Sequence, residues 1–301
     1  MNFGKRTDRA TAVRIIHSAL DAGINHLDTA NMYNDGESER IVGDAVKGRR
    51  DALTIATKVG FGRVGGRIEG LSRHSLLAAC DASLARLKID SIDLYYLHVP
   101  DPNTPMEDTL SGISSLLETA KIKSWGVSNM ASWQILEWIT LAQRLGIPKP
   151  AMAQQLYSVL VRQLDVEYFA FAAKHEIRTV TYNALAGGLL AGIHHPDSVP
   201  LPGTRFDKNT LYRKRYWQPA LFRTVDALKI LAARHGLSLL ELAYAFVFRH
   251  PRVNAVLIGP ASEAHLTTAI SARLIPLSDD LQAEIDAVCQ SLTGTDVKYA
   301  R

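Results

Sequence analysis

The 301-residue chain is 47% hydrophobic and 21% charged, which excludes a disordered polymer and leaves enough apolar side chain for a sizeable core. Its 34 Lys and Arg against 30 Asp and Glu give a formal charge of +4. That excess is dense only around Arg213, Lys214 and Arg215, so a basic nucleic-acid-binding stripe is excluded. No uncharged apolar run approaches the ~18 residues of a membrane span, and the opening MNFGKRTDRATAV lacks the apolar core of a secretory leader. Cys80 and Cys289 are too few for a disulfide framework and lack metal-ligand spacing. The expectation is a cytoplasmic protein with no membrane, nucleic-acid or metal partner and with self-association left open.

Short β-branched apolar runs alternate with helix-period segments along nearly the whole chain. In order, the pattern predicts strands at Ile24–Leu27, Leu53–Thr57, Ile92–Leu97, Trp125–Ser128, Met152–Gln155, Arg178–Tyr182 and Ala255–Ile258. Helices are predicted at Arg9–Ala22, Ser38–Lys47, Ser72–Arg86, Met106–Thr119, Ser132–Leu145, Val166–Lys174 and Ala220–His235. Parallel βαβ units follow from that alternation, and seven strands is one short of the eight of a TIM barrel. The stretch from Gly192 to Pro219 reads as a long functional loop. With no repeat and no linker, residues 1–301 are expected to form a single domain.

Polar residues collect where each strand ends. Asp28, Thr29 and then Tyr33 follow the first, Lys58 the second and His98 the third; Ser128 and Asn129 close the fourth. Gln154 and Gln155 lie in the fifth, and the sixth runs into Tyr182, Asn183, Gly187 and Gly188. In a parallel barrel these positions face one rim, where such enzymes build their sites. Singly, each has an ordinary reading: Asp28 as a turn cap, Tyr33 as a surface ring, Lys58 and His98 as strand-end polar groups.

Together they form a recognisable series. Asp28-Thr29-Ala30-Asn31-Met32-Tyr33, Gly36-Glu37-Ser38-Glu39 through Gly43, Thr57-Lys58 and Asp93-Leu94-Tyr95-Tyr96-Leu97-His98 resemble the motifs of the aldo-keto reductases. Gly126-Val127-Ser128-Asn129 and Gln154-Gln155-Leu156-Tyr157 continue the match. The stretch Asn183–Gly192 and Arg215-Tyr216-Trp217 look most like the aflatoxin aldehyde reductase branch. The resemblance spans essentially the whole chain and implies an α/β fold of TIM (β/α)8 type. It implies an NADP(H)-dependent oxidoreductase that reduces aldehydes and ketones to alcohols.

By the same resemblance the catalytic tetrad is Asp28, Tyr33, Lys58 and His98. Tyr33 would be the proton donor; a free phenol has a pKa of about 10, and a nearby lysine ammonium lowers it. Asp28 would hold Lys58, and a neutral His98 would orient the carbonyl. Ser128, Asn129 and Gln154 match the residues that grip the nicotinamide carboxamide, Gln154 being preferred to Gln155 because Arg162 lies eight positions on. Tyr182 matches the ring that stacks on the nicotinamide. Asn183, Leu185, Gly187 and Leu189 would offer backbone to the pyrophosphate, with Arg205 as a phosphate partner. Arg215 and the C-terminal Arg301 could hold a substrate carboxylate.

Two departures stand out. The expected adenosine 2′-phosphate site is Gly259, Ser262 and His265, with histidine near the family's arginine and Ala269 in place of asparagine. An imidazole is a weaker phosphate partner than a guanidinium, so NAD(H) is not excluded. Met1-Asn2-Phe3-Gly4 corresponds to the tail of the family's first strand, so that strand and the preceding hairpin are expected to be missing. Two other functions are compatible with these residues: a slow-turnover cofactor-binding regulatory subunit, like potassium-channel β subunits, and a Schiff-base aldolase using Lys58.

Overall fold

The structure is a computed structural model that describes residues 1–64 and 66–293. Contacts divide the described residues into two compact units: one of residues up to 155 with 259–266, and one of residues 156–258 with those from 267 onward. Arg301 lies outside the described residues.

In the first unit the order is α1 (Arg9–Asp21), β1 (His26–Asp28), α2 (Glu37–Ala45), β2 (Thr54–Val59), β3 (Arg63–Val64), β4 (Arg67–Ile68), α3 (Arg73–Leu87), β5 (Leu94–Leu97), α4 (Met106–Glu118), β6 (Trp125–Ser128), α5 (Ser132–Arg144) and β7 (Met152–Leu156). Strands β1, β2, β5, β6 and β7 pair in parallel in that order, with His26 opposite Thr54, Ala56 opposite Leu94, Tyr95 opposite Trp125 and Gly126 opposite Met152. A parallel strand covered on both faces reads as a continuous apolar run, and every residue of β5 and β6 is buried. Two of these helices start on side-chain caps: Asp8 accepts from the Thr11 amide at the head of α1, and Ser72 from the Ser75 amide at the head of α3. Helix α1 buries Ala12, Ile15, Ile16 and Ala19, one stripe of a 3.6-residue period.

Two glycines set close approaches in this unit. A Cβ on Gly43 of α2 would stand 2.3 Å from the Leu87 carbonyl oxygen at the end of α3. One on Gly126 would stand 2.6 Å from the Met152 carbonyl oxygen and 2.8 Å from the Tyr96 ring. Ala56, Leu94 and Tyr96, packed with Met152, thus form an interior cluster beneath the strand ends.

In the second unit the elements are α6 (Tyr168–Lys174), β8 (Arg178–Tyr182), α7 (Thr210–Tyr216), α8 (Pro219–Arg234), α9 (Leu239–Phe248), β9 (Ala255–Leu257), α10 (Glu263–Ala272, begun in the first unit) and α11 (Asp279–Thr293). Strands β8 and β9 are parallel, with Val180 opposite Ala255. Arg162 ties Asp165 at 3.0 Å and Asp286 of α11 at 2.6 Å.

Parallel strands each followed by helices make this an α/β chain of TIM (β/α)8 type. The seven strands predicted from the sequence are all present within two residues of their expected bounds. Three differences are instructive. The expected 192–219 loop contains α7, which forms because Asn209 caps it by accepting from the Tyr212 amide. Helix α9 is apolar on almost every face and shows little helical periodicity. The β3–β4 hairpin has strands too short to register as alternation. Among the described residues no single helix is long and apolar enough to cross a membrane.

Candidate active site

The first unit gathers the expected tetrad. Asp28 ends β1, Lys58 sits near the end of β2, and His98 follows β5, while Tyr33 is carried by the loop after β1. That loop turns through three successive left-handed residues, Asn34, Asp35 and Gly36. Glycine suits the last of these, since at φ 80° a side chain would be strained and its Cβ would crowd the Arg86 side chain.

Lys58 is 0% exposed. Its ammonium is paired with Asp28 and donates to the Thr29 carbonyl oxygen at 2.7 Å. It lies 5.4 Å from the centre of the Tyr33 ring and 5.8 Å from that of Tyr96. Burial pulls the lysine below its ordinary pKa, and the Asp28 carboxylate opposes that fall. An isolated buried charge costs several kcal/mol, about what a close carboxylate and a carbonyl can return. The pair therefore holds a cation next to a phenol, where it stabilises phenolate.

His98 meets both Tyr33 and a residue outside the motifs, Phe61, edge to face at 5.9 and 5.7 Å. Burial, and then the positive charge of Lys58, pushes its imidazole down to about 3. At neutral pH it is uncharged, and its Nδ1 is buried without a hydrogen-bond partner.

The predicted carboxamide-binding residues form one network with the tetrad. Asn129 has a left-handed φ of 59°, which lets its side chain turn back and donate to the His98 carbonyl and to the Ser128 hydroxyl, both at 3.0 Å. Ser128 donates to the Gln154 carbonyl at 3.0 Å. Gln154 donates through Nε2 to the second oxygen of Asp28 at 2.8 Å, whereas Gln155 turns away to the Met130 carbonyl at 2.6 Å. Gln154 is thus the glutamine joined to Asp28.

The 259–266 segment belongs to the same unit. Gly259 accepts from the Asn2 side chain at 2.8 Å. Ser262 caps α10 by accepting from the His265 amide at 3.3 Å, and His265 accepts on Nδ1 from Ala261 at 3.4 Å.

The second unit holds the glycine loop. Tyr182 ends β8, and Asn183, at φ 68°, accepts from the Gly187 amide at 3.1 Å and donates to the Tyr216 hydroxyl at 3.0 Å. Gly187 fits against Tyr212, which a Cβ would approach to 2.7 Å; Gly188, at φ 103°, has open space where a Cβ would stand. Leu185 is half-buried and Leu189 buried, so what Leu189 can offer a ligand is backbone. Arg205 donates to the Tyr212 hydroxyl at 3.0 Å, and the exposed Arg215 guanidinium lies 5.9 Å from the Tyr212 ring. Gly187 and both arginines thus share Tyr212.

Several residues lacked an assigned role in the sequence. Glu39, fully buried, accepts from Thr57 and from Arg86 at 2.6 Å each and adds a negative charge near Lys58. It was visible in the Gly36–Gly43 motif but carried no chemistry of its own. Tyr96 sat in an apolar run, Phe61 between two glycines, and Glu69 just after a short hairpin where nothing marked it.

A buried lysine–carboxylate pair, a phenol, a neutral imidazole and an amide network at parallel strand ends define a class. The chain belongs to the Aldo/keto reductase family, whose profile it matches over residues 1–290. Membership makes it an oxidoreductase enzyme of carbonyl reduction that works with a nicotinamide cofactor. It is 32% identical to human aflatoxin B1 aldehyde reductase member 2 over 291 residues, 90% of this chain and 79% of that one. Human aldo-keto reductase family 7 member A3 is likewise 32% identical, over 90% of this chain and 86% of its own. A probable voltage-gated potassium channel subunit beta from Arabidopsis thaliana is 30% identical over 299 residues, covering 97% of this chain and 91% of that one.

Proposed function

We propose that the protein is an NADP(H)-dependent reductase of aldehydes and ketones in which Tyr33 is the proton donor. The observation that carries this reading is the buried Lys58–Asp28 pair beside the Tyr33 ring, with neutral His98 against the same ring. Reduced nicotinamide, when bound, supplies the hydride. His98 hydrogen-bonds the carbonyl oxygen and fixes the substrate; Tyr33 gives its hydroxyl proton to that oxygen as charge builds there. Lys58 stabilises the phenolate left behind, and Asp28 keeps Lys58 protonated and in place.

The residues fit such a cofactor, each unit presenting its own groups. In the first, Ser128, Asn129 and Gln154 form a hydrogen-bonded set suited to a carboxamide. Gly259, Ser262 and His265 are assigned to a 2′-phosphate. In the second, Tyr182 is assigned to the nicotinamide ring, and Asn183, Leu185, Gly187 and Leu189 with Arg205 to the pyrophosphate. The open face of Gly188 is the feature a close-lying phosphate needs. Because His265 replaces a permanently charged group, preference for NADP(H) over NAD(H) is expected to be modest. Arg215 is assigned to an anionic group on the substrate. A cytoplasmic location agrees with two buried free thiols, Cys80 and Cys289.

The aldolase alternative needs an accessible, unprotonated amine, and Lys58 is buried and ion-paired. The regulatory-subunit alternative is carried by the likeness to a protein named as a channel subunit. Steady-state NADPH oxidation with 4-nitrobenzaldehyde decides between the two: multiple turnovers by the wild type, lost by at least a thousandfold in Tyr33→Phe with NADPH binding retained, are expected. Release of no more than one product equivalent by the wild type would sink the reductase reading. Parallel fluorescence titrations with NADPH and NADH measure the cofactor preference.

A further inference from the structure

Phe61 is a large apolar ring left 44% exposed, yet it is firmly placed. It stands three residues after Lys58 and meets the His98 imidazole edge to face at 5.7 Å, as Tyr33 does at 5.9 Å. The imidazole expected at the substrate oxygen thus has Tyr33 and this ring as neighbours.

The loop beneath Phe61 is held by one carboxylate. Glu69 accepts from the Gly60 amide at 2.8 Å and, with both oxygens, from the Asn31 side chain at 2.9 Å. Gly60 takes a φ of 104°, which lets the chain turn out of β2 into that carboxylate. The Glu69 amide donates to the Gly62 carbonyl at 2.9 Å, and its own carbonyl accepts from Ser75 at 2.8 Å, closing the base of the β3–β4 hairpin. Asn31 lies in the segment that joins Asp28 to Tyr33. One side chain therefore joins the Tyr33 loop, the exit from β2 and the Phe61 hairpin. An exposed aromatic is entropically inexpensive to hold when its backbone is already fixed, and its face binds flat apolar groups well.

We propose that Phe61 is the substrate-selecting wall of the site, with Glu69 as the residue that positions it, and that together they favour carbonyl compounds bearing an aromatic ring next to the carbonyl. This assignment rests on the reductase reading above. A ring attached to the reacting carbonyl would lie against Phe61 while its oxygen meets Tyr33 and His98. A small aliphatic aldehyde would reach the same two groups without touching Phe61.

The test compares 4-nitrobenzaldehyde with propanal in the wild type, Phe61→Ala, Phe61→Trp and Glu69→Ala, with NADPH affinity followed separately by fluorescence. In Phe61→Ala, kcat/KM for the aromatic aldehyde is expected to fall about tenfold, mainly through KM, and that for propanal by less than twofold. Phe61→Trp, which restores a flat wall, retains the aromatic preference. Glu69→Ala loses it with the ring still present. Binding of 4-nitrobenzaldehyde to the Tyr33→Phe protein, measured by equilibrium dialysis, weakens by a similar factor when Phe61→Ala is added. An equal loss for both aldehydes, or an unchanged ratio in Phe61→Ala, overturns the proposal. Absence of turnover with either aldehyde in the wild type would overturn the reductase reading itself.

Discussion

Two neighbouring residues of the site face opposite electrostatic demands. Lys58 must stay charged where water cannot reach it, and His98 must stay uncharged beside that charge. The Asp28 carboxylate meets the first demand; burial and Lys58 meet the second. A histidine whose pKa falls to about 3 on folding takes up protons more readily in the unfolded chain. Its contribution is therefore complete above about pH 6.5 and is lost as pH falls towards 3. At about 1.4 kcal/mol per tenfold change in proton affinity, this amounts to something on the order of 5 kcal/mol. Urea unfolding at pH 7 and pH 4 should show a smaller loss of stability in His98→Asn than in the wild type. The rate of carbonyl reduction should show no break assignable to His98 between pH 5 and 8. The placement of Asp28, Tyr33, Lys58 and His98 at or just after strand ends was legible in the sequence because each follows a short apolar run. The depressed His98 pKa was not, since it depends on burial and on Lys58, forty residues away in the chain.

At the level of elements, the packing of α2 on α3 depends on one missing methyl group. Alanine at Gly43 would gain about 1 kcal/mol of helix propensity. Against that, its Cβ would meet the Leu87 carbonyl oxygen at 2.3 Å, a backbone atom at the end of a packed helix that cannot swing aside. Overpacking of this kind costs about 1–3 kcal/mol or more, so the clash outweighs the propensity. Thermal unfolding of Gly43→Ala is expected several degrees below the wild type, and a Tm at or above the wild-type value would show that the two helices can part. The strands were legible because an all-buried parallel strand is an apolar run bounded by turn residues. Helix α7 was hidden in a Pro- and Gly-rich stretch, where a single Asn209 cap decided the outcome.

Across the whole molecule, chemical reactivity is confined. Cys80, in the first unit, is buried and pushed up to about 12; Cys289, in the second, is buried and pushed up to about 11. A thiol reacts as thiolate, so neither should consume Ellman's reagent at pH 8 in the native protein, and two equivalents should appear in denaturant. Rapid reaction of either in the native state would contradict the burial. The order of the motifs made the family legible over the whole length, whereas the β3–β4 hairpin and its clamp were not. Two-residue strands leave no periodic trace, and the partners of Glu69 are nine and thirty-eight residues away. That clamp carries a consequence for how the enzyme can diversify. Its carboxylate contacts end at Asn31 and Gly60, so the described residues 61–64 and 66–68 lie between fixed posts at Gly60 and Glu69. On the proposed assignment, specificity drifts by exchange of these residues while Asp28, Tyr33, Lys58 and His98 are inherited unchanged.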